Sequence, residues 1–281
     1  MYNIIALLDD FYENYPNDII PLLEQAILNK KDPEISTWFA KTVKGADIKA
    51  HEKVVLDSNN IEYCYKFAYE VESADVKALG KVIIDSQDAK YNYLFARNIE
   101  GADIASHAKV VIDSKDSQYN YYFAKDVEQA NIKDHEQIII DNKDVIYSYL
   151  FARDIKGANK EELARIVLES GNPHYNYLYA LYIKGADIKK HAQVVIKSGD
   201  LEANFNFATD VKWADKEVHA QVLIDYEKYL QTGQYWRAVY TFFIEKIKKI
   251  QENRNNKISS FDIPIEEDND FSQIKELLLK I

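Results

Sequence analysis

Apolar positions along this chain fall into short blocks that recur. In the stretch "YNYLFARNIEGADI", which begins at Tyr91, residues Tyr91, Asn92, Phe95, Ala96 and Ile99 share one helical face. In the next block Ile104, His107, Val110, Val111 and Ile112 cover a wider arc. The same two blocks return as "YNYYFAKDVEQANI" from Tyr119, 28 residues on. An aromatic–alanine pair keeps that step at Phe39-Ala40, Phe67-Ala68, Phe95-Ala96, Phe123-Ala124, Phe151-Ala152, Tyr179-Ala180 and Phe207-Ala208. A second alanine keeps it from Ala46 to Ala214 without a slip. A fixed period of this size is the signature of a repeat architecture.

Each unit predicts two short helices, A and B, over about 62–72 and 76–86 in one unit. The caps are written in columns. Asp32, Asn60, Asp88, Asp116, Asp144, Asn172 and Asp200 precede the A helices. Asp47, Asp75, Asp103, Asn131, Asn159, Asp187 and Asp215 precede the B helices. Asp and Asn start helices because their side-chain oxygens accept from the first free backbone N–H groups. Pro33 and Pro173 stand at the first helical position, where a missing N–H costs nothing. Gly45, Gly101, Gly157 and Gly185 after the A helices, and Gly171 and Gly199 after the B helices, predict left-handed C′ residues.

A B helix that is apolar over so wide an arc must be covered on three sides. Stacked helix pairs provide this, so the expected fold is an all-α, two-layer αα-solenoid of about eight 28-residue units with helical caps. The solenoid domain is expected over 1–230, with a divergent first unit over 1–30. A C-terminal helical cap with an acidic loop is expected over 231–281. These columns resemble short αα-repeat solenoids such as HEAT, tetratricopeptide and leucine-rich-variant proteins in shape, over roughly residues 7–230. That resemblance implies a protein-binding scaffold.

Composition narrows the classes further. The 281 residues are 47% hydrophobic and 29% charged, which suits a folded chain. Cys64 is the only cysteine, so a disulfide framework and a cysteine-rich zinc site are excluded, and a cytoplasmic setting is expected. The N-terminal segment is acidic and does not read as a signal peptide, and no apolar run is long enough to span a membrane. A net charge of -11 weighs against nucleic acid and lipid, and favours a basic partner.

Four columns could carry chemistry. His51, His107, His135, His191 and His219 share one. Helices packed about 8–10 Å apart hold successive rings too far apart to share a metal ligated at about 2 Å. Leu79 and Leu163 occupy the same column, so these histidines are expected to be buried packing residues, and neither metal nor cofactor is expected. Asn92, Asn120, Asn176 and Asn204, with Ser36, Cys64 and Ser148, are expected to bond a neighbouring backbone. Asp57, Asp85, Asp113, Asp141, Glu169 and Asp225 end the B helices, with lysine or arginine four residues earlier in four cases.

The fourth column is tyrosine. Tyr63, Tyr91, Tyr119, Tyr147 and Tyr175 are expected to face the core. Tyr65, Tyr93, Tyr121, Tyr149 and Tyr177 lie about 200° round the helix and are expected to point outward. One turn on, on the same outer face, are Tyr69, Arg97, Lys125, Arg153 and Leu181, and the tyrosines with Arg97, Lys125 and Arg153 form the expected binding stripe, because tyrosine and arginine are enriched at interface hot spots. The expected function is therefore non-catalytic: a scaffold, as adaptor or inhibitor, that engages another protein along its repeat surface. A helical-repeat binder of single-stranded nucleic acid is the alternative.

Overall fold

The computed structural model describes residues 19–227, and side-chain surroundings as far as residue 222. The expected caps, the acidic loop, the 231–281 domain and the first part of the divergent unit lie outside the described residues. Among the described residues there are fifteen α-helices and no strand. The A helices are α2 (Pro33–Thr42), α4 (Ile61–Glu70), α6 (Ala89–Asn98), α8 (Ser117–Asp126), α10 (Val145–Asp154), α12 (Pro173–Tyr182) and α14 (Leu201–Asp210). The B helices are α1 (Ile20–Lys30), α3 (Ile48–Ser58), α5 (Val76–Asp85), α7 (Ile104–Asp113), α9 (Ile132–Asn142), α11 (Lys160–Glu169), α13 (Ile188–Ser198) and α15 (Lys216–Glu227). Seven A–B pairs thus follow a lone B helix. Each helix touches its unit partner and its counterparts in the next units, so the fold is an all-α two-layer solenoid. The A helices pack on one another more closely than the B helices do.

The caps act as expected. Asp32 accepts from the Glu34 and Ile35 amides, and Asp103 from Ser106 N at 3.2 Å. The glycines divide into two kinds. Gly171 and Gly199 are left-handed just past a B helix, in a column where Lys31, Asn59, Gln87, Lys115 and Lys143 take the same conformation at φ 50–56. The glycines after the A helices are not C′ residues, contrary to the expectation. An A helix ends on an extended residue such as Val43, and a turn closed by Ala46 N–H to Val43 O (3.2 Å) places Gly45 third, at φ 86. The left-handed residue belongs to this turn.

The core runs the length of the stack. Phe39, Phe67, Phe95, Phe123, Phe151, Tyr179 and Phe207 are fully buried. A buried histidine lies against the ring in five units, for example His135 on Phe123 at 4.7 Å between centroids. Its Nδ1 meets the Oδ1 of the unit's asparagine: His107–Asn92, His135–Asn120, His191–Asn176 and His219–Asn204, each at 2.8 Å. The asparagine Nδ2 donates twice, to the last turn of the preceding B helix and to its own N-cap carbonyl. For Asn120 these are Val111 O at 2.9 Å and Asp116 O at 2.8 Å. Both amide hydrogens are then used, so Oδ1 is the acceptor and Nδ1 carries the ring proton. One asparagine thereby ties three helices together, which is the expected backbone bond with a partner the sequence did not disclose. Nε2 is left as a buried acceptor without a bond in His107, His135, His191 and His219. Burial pushes these four rings down to about 4, so they are neutral near pH 7.

Two units are built otherwise. Leu79 and Leu163 replace histidine where Cys64 and Ser148 replace asparagine. One residue along from the histidine column and one unit back stand Glu52 and Glu136, both buried. Glu52 Oε1 accepts from Asp75 N at 2.5 Å and Glu136 Oε1 from Asn159 N at 2.6 Å, the amides of the next B-helix caps. The His/Asn units hold Gly80, Ala108, Ala164 and Ala192 there. The first unit mixes both devices: Glu24 Oε1 takes the Asp47 amide at 2.7 Å and lies 3.3 Å from His51 Nε2.

Candidate protein-binding face

The outer surface of layer B is internally neutralised. Lys53–Asp57, Lys81–Asp85, Lys109–Asp113 and Arg165–Glu169 all form i,i+4 pairs at 2.6–2.9 Å. Helices α3 to α13 of this layer expose no large apolar side chain.

Layer A is different, and it corrects the angular expectation for tyrosine. Tyr93, Tyr121, Tyr149 and Tyr177 are 6, 3, 3 and 8% exposed, and Tyr65 is half-buried. Tyr63, Tyr91, Tyr119, Tyr147 and Tyr175, expected to face the core, are only half-buried. The reason is the neighbour. The face some 200° from the core points into the seam between consecutive A helices, where the next unit covers it. Ring pairs such as Tyr93–Tyr119 (6.3 Å) and Tyr121–Tyr147 (5.7 Å) fill that seam.

The hydroxyl tips emerge at the seam and bond the end of the next A helix. Tyr93 donates to Asp126 at 2.5 Å, Tyr177 to Asp210 at 2.6 Å, and Tyr121 to Asp154. Asn98 Nδ2 donates to Tyr65 Oη at 2.8 Å. Burial, then the bond to Asp126, pushes the Tyr93 hydroxyl up to about 12. The expected cations stay half-exposed and lie over these rings: Arg97 on Tyr93 at 5.9 Å, Lys125 on Tyr121 at 5.3 Å and Arg153 on Tyr149 at 5.3 Å. Arg97 and Lys125 also reach across the seam, to Asp126 at 3.8 Å and Asp154 at 3.4 Å. Arg153 instead clamps its own neighbour Asp154, and that pairing holds the Asp154 carboxyl well below the usual carboxylate range.

The structure therefore brings all eight stripe residues into one layer, with tyrosine rings as filling between helices and cations as the accessible part. Asp126, Asp154 and Asp210 were not singled out from sequence. Their column, Glu70, Asn98, Asp126, Asp154, Tyr182 and Asp210, was the available signal, since acid at a helix C-terminus opposes the macrodipole and needs a partner. Tyr69 on α4, expected on the outer face, is 62% exposed, while Ile146 and Tyr182, 46 and 59% exposed on α10 and α12, were missed. Cys64, by contrast, is buried, and burial pushes its thiol up to about 11. Among the described residues no group of three histidine, cysteine or acidic side chains is placed to hold a metal, and no helix is long and apolar enough to cross a membrane. No protein-family model, curated protein or solved structure matches the chain.

Proposed function

We propose that this protein is a non-catalytic scaffold that engages another protein along the A-helix layer of its solenoid. The observation that carries the reading is the asymmetry of the two layers. Large apolar side chains in water are tolerated singly and need a reason when several share one surface. Layer A exposes Tyr69, Ile146 and Tyr182 along its length, whereas layer B exposes only Leu22 and Val218, on its first and last described helices, and Trp213 stands in the last A–B turn. Beside the layer A side chains run the half-exposed heads of Arg97, Lys125 and Arg153 and the edge of Tyr65. Tyrosine and arginine are enriched among interface anchors, tyrosine because it gives large contact area with two torsions to freeze and arginine because its planar guanidinium makes several directed bonds at once. Acids beside these cations, Asp126 and Asp154, favour a protein partner over a phosphate backbone, which rewards uncompensated positive charge.

The test is affinity capture from the native cell with three forms of the full chain: wild type, Ile146→Ser/Tyr182→Ser in layer A, and Asp85→Asn/Asp113→Asn in layer B. The layer A variant should lose the captured protein at an unchanged melting temperature, and the layer B variant should keep it. A partner retained by the first and lost by the second, or capture of nucleic acid alone, would overturn the reading.

A further inference from the structure

Two seams of layer A lack the cation of their counterparts, α4–α6 at Tyr69 and α12–α14 at Leu181, and only α4–α6 lacks the facing acid as well, since Asp210 keeps it at α12–α14. At α2–α4, α6–α8 and α8–α10 a lysine or arginine in the last turn of one A helix reaches the acid that ends the next: Lys41–Glu70 at 3.2 Å, Arg97–Asp126 at 3.8 Å and Lys125–Asp154 at 3.4 Å. At α4–α6 the cation position is Tyr69 and the acid position Asn98. Tyr69 stacks on Tyr65 at 6.0 Å with only 13° between the rings, and stays 62% exposed. Beside it a groove opens, floored by Val71, Val76 and Ile99 and rimmed by Tyr69, Glu72 and Glu100. Glu72 and Glu100 are exposed and, among the described residues, no lysine or arginine pairs with either. The groove thus joins an apolar floor, two uncompensated carboxylates and the ring of Tyr65, whose counterparts Tyr93, Tyr121 and Tyr149 lie under a cation and which here lies under Tyr69.

We infer that this groove takes a basic segment of the partner protein, with an arginine or lysine next to an aliphatic residue. The cation would occupy the place held in cis by Arg97 and Lys125 at the neighbouring seams, over the tyrosines and beside Glu72 and Glu100. The aliphatic neighbour would cover Val71 and Ile99. This deepens the protein-binding reading of layer A, on which it rests, by naming the partner's chemistry at one seam.

The probe is a fluorescein-labelled, end-capped peptide, Gly-Ser-Arg-Leu-Ser-Gly, with Gly-Ser-Glu-Leu-Ser-Gly as its counterpart, titrated against the full chain by anisotropy. The arginine peptide should bind at least about tenfold more tightly than the glutamate peptide. Glu72→Gln/Glu100→Gln should weaken it by about tenfold. Tyr69→Arg, which restores the column's own cation, should abolish binding and hold or raise the melting temperature. Tyr69→Ala, which removes the stacked ring without filling the seat, should weaken binding and serves if the arginine variant is poorly folded. No binding at about a thousandfold above micromolar peptide, or an equal loss in Asp85→Asn/Asp113→Asn, which removes the same charge from layer B, would overturn the assignment. If the peptide fails while capture through Ile146 and Tyr182 persists, this inference alone falls. If capture fails while the peptide binds at the groove, the wider reading falls.

Discussion

Two neighbouring units, α8/α9 and α10/α11, have the same backbone shape and opposite interior chemistry. In the first, Asn120 ties Val111 O, Asp116 O and His135 Nδ1 into one buried polar junction. In the second, Ser148 and Leu163 replace that pair, and the buried Glu136 joins the units through the Asn159 amide. The difference shows that the stack specifies shape through the spacing of its helices and leaves the joint chemistry free. It also gives the two kinds of unit opposite responses to pH. The His135 ring is held down to about 4, below the ordinary 6.5, so that unit is fully stable above pH 6.5 and weakens as pH falls towards 4. Burial raises the Glu136 carboxyl instead, so that unit's contribution is complete in acid and declines as pH rises through the carboxylate range.

The largest expected effect follows from the sum over histidines. Burial holds His107, His135, His191 and His219 down to about 4, so below pH 6.5 each should cost on the order of 1 kcal/mol per pH unit and the four losses should add. Urea midpoints measured between pH 7 and pH 5 test this, and a flat profile would mean that the rings are charged or exposed in the folded state. Replacing His135 and His191 with leucine should halve the slope.

Next in size is the contrast between Asn120→Ala and Ser148→Ala. The first strips a buried junction of three bonds and should cost about 3 kcal/mol. The second removes a buried hydroxyl that makes no bond and should cost under about 0.5 kcal/mol. Equal losses in chemical denaturation would erase the distinction between the two kinds of unit.

A graft sharpens it. His135→Leu alone should lose about 2 kcal/mol, because Asn120 Oδ1 is left buried and unpaired. Adding Asn120→Ser should recover at least about half, and adding Ala108→Glu should complete the conversion to the α10/α11 type. Additive losses across the three changes would show that the columns are independent after all.

The smallest effect lies at the ends of the B helices. Lys115 and Lys143 hold φ 56 and 51, where Gly171 and Gly199 stand in later units. Lys115→Gly or Lys143→Gly should stabilise by roughly 0.5 kcal/mol, the relief of the left-handed backbone exceeding the entropy glycine adds to the unfolded chain. A loss of stability in thermal melts would show that these lysines make compensating contacts.

The architecture was legible because every unit repeats its caps at one spacing, and Asp32, Asp88 and Asp116 cap helices where their positions indicate. Burial of the histidines was legible through Leu79 and Leu163, which share their column. Helix periodicity describes one helix and its own core, so it could not place Tyr93 or Tyr121, whose surroundings come from the next unit. The bond from Tyr93 to Asp126 spans 33 residues, five more than the repeat, so it joins two different columns in adjacent units. Comparing each column only with itself leaves such a pair unseen. The Asn–His link is of the same kind. Histidine and asparagine are lost together at Leu79/Cys64 and Leu163/Ser148, and that joint loss was the readable trace of it.

The tyrosine bonds of layer A have a mechanical meaning as well. Each is a latch across the seam between consecutive A helices, and drawing those helices apart has to break it. At α10–α12 the latch is open: Tyr149 Oη accepts from Arg153 in its own helix at 3.4 Å, and the position across the seam is the exposed Tyr182. Separation of consecutive A helices is therefore resisted less at this joint than at those closed by Tyr93, Tyr121 and Tyr177.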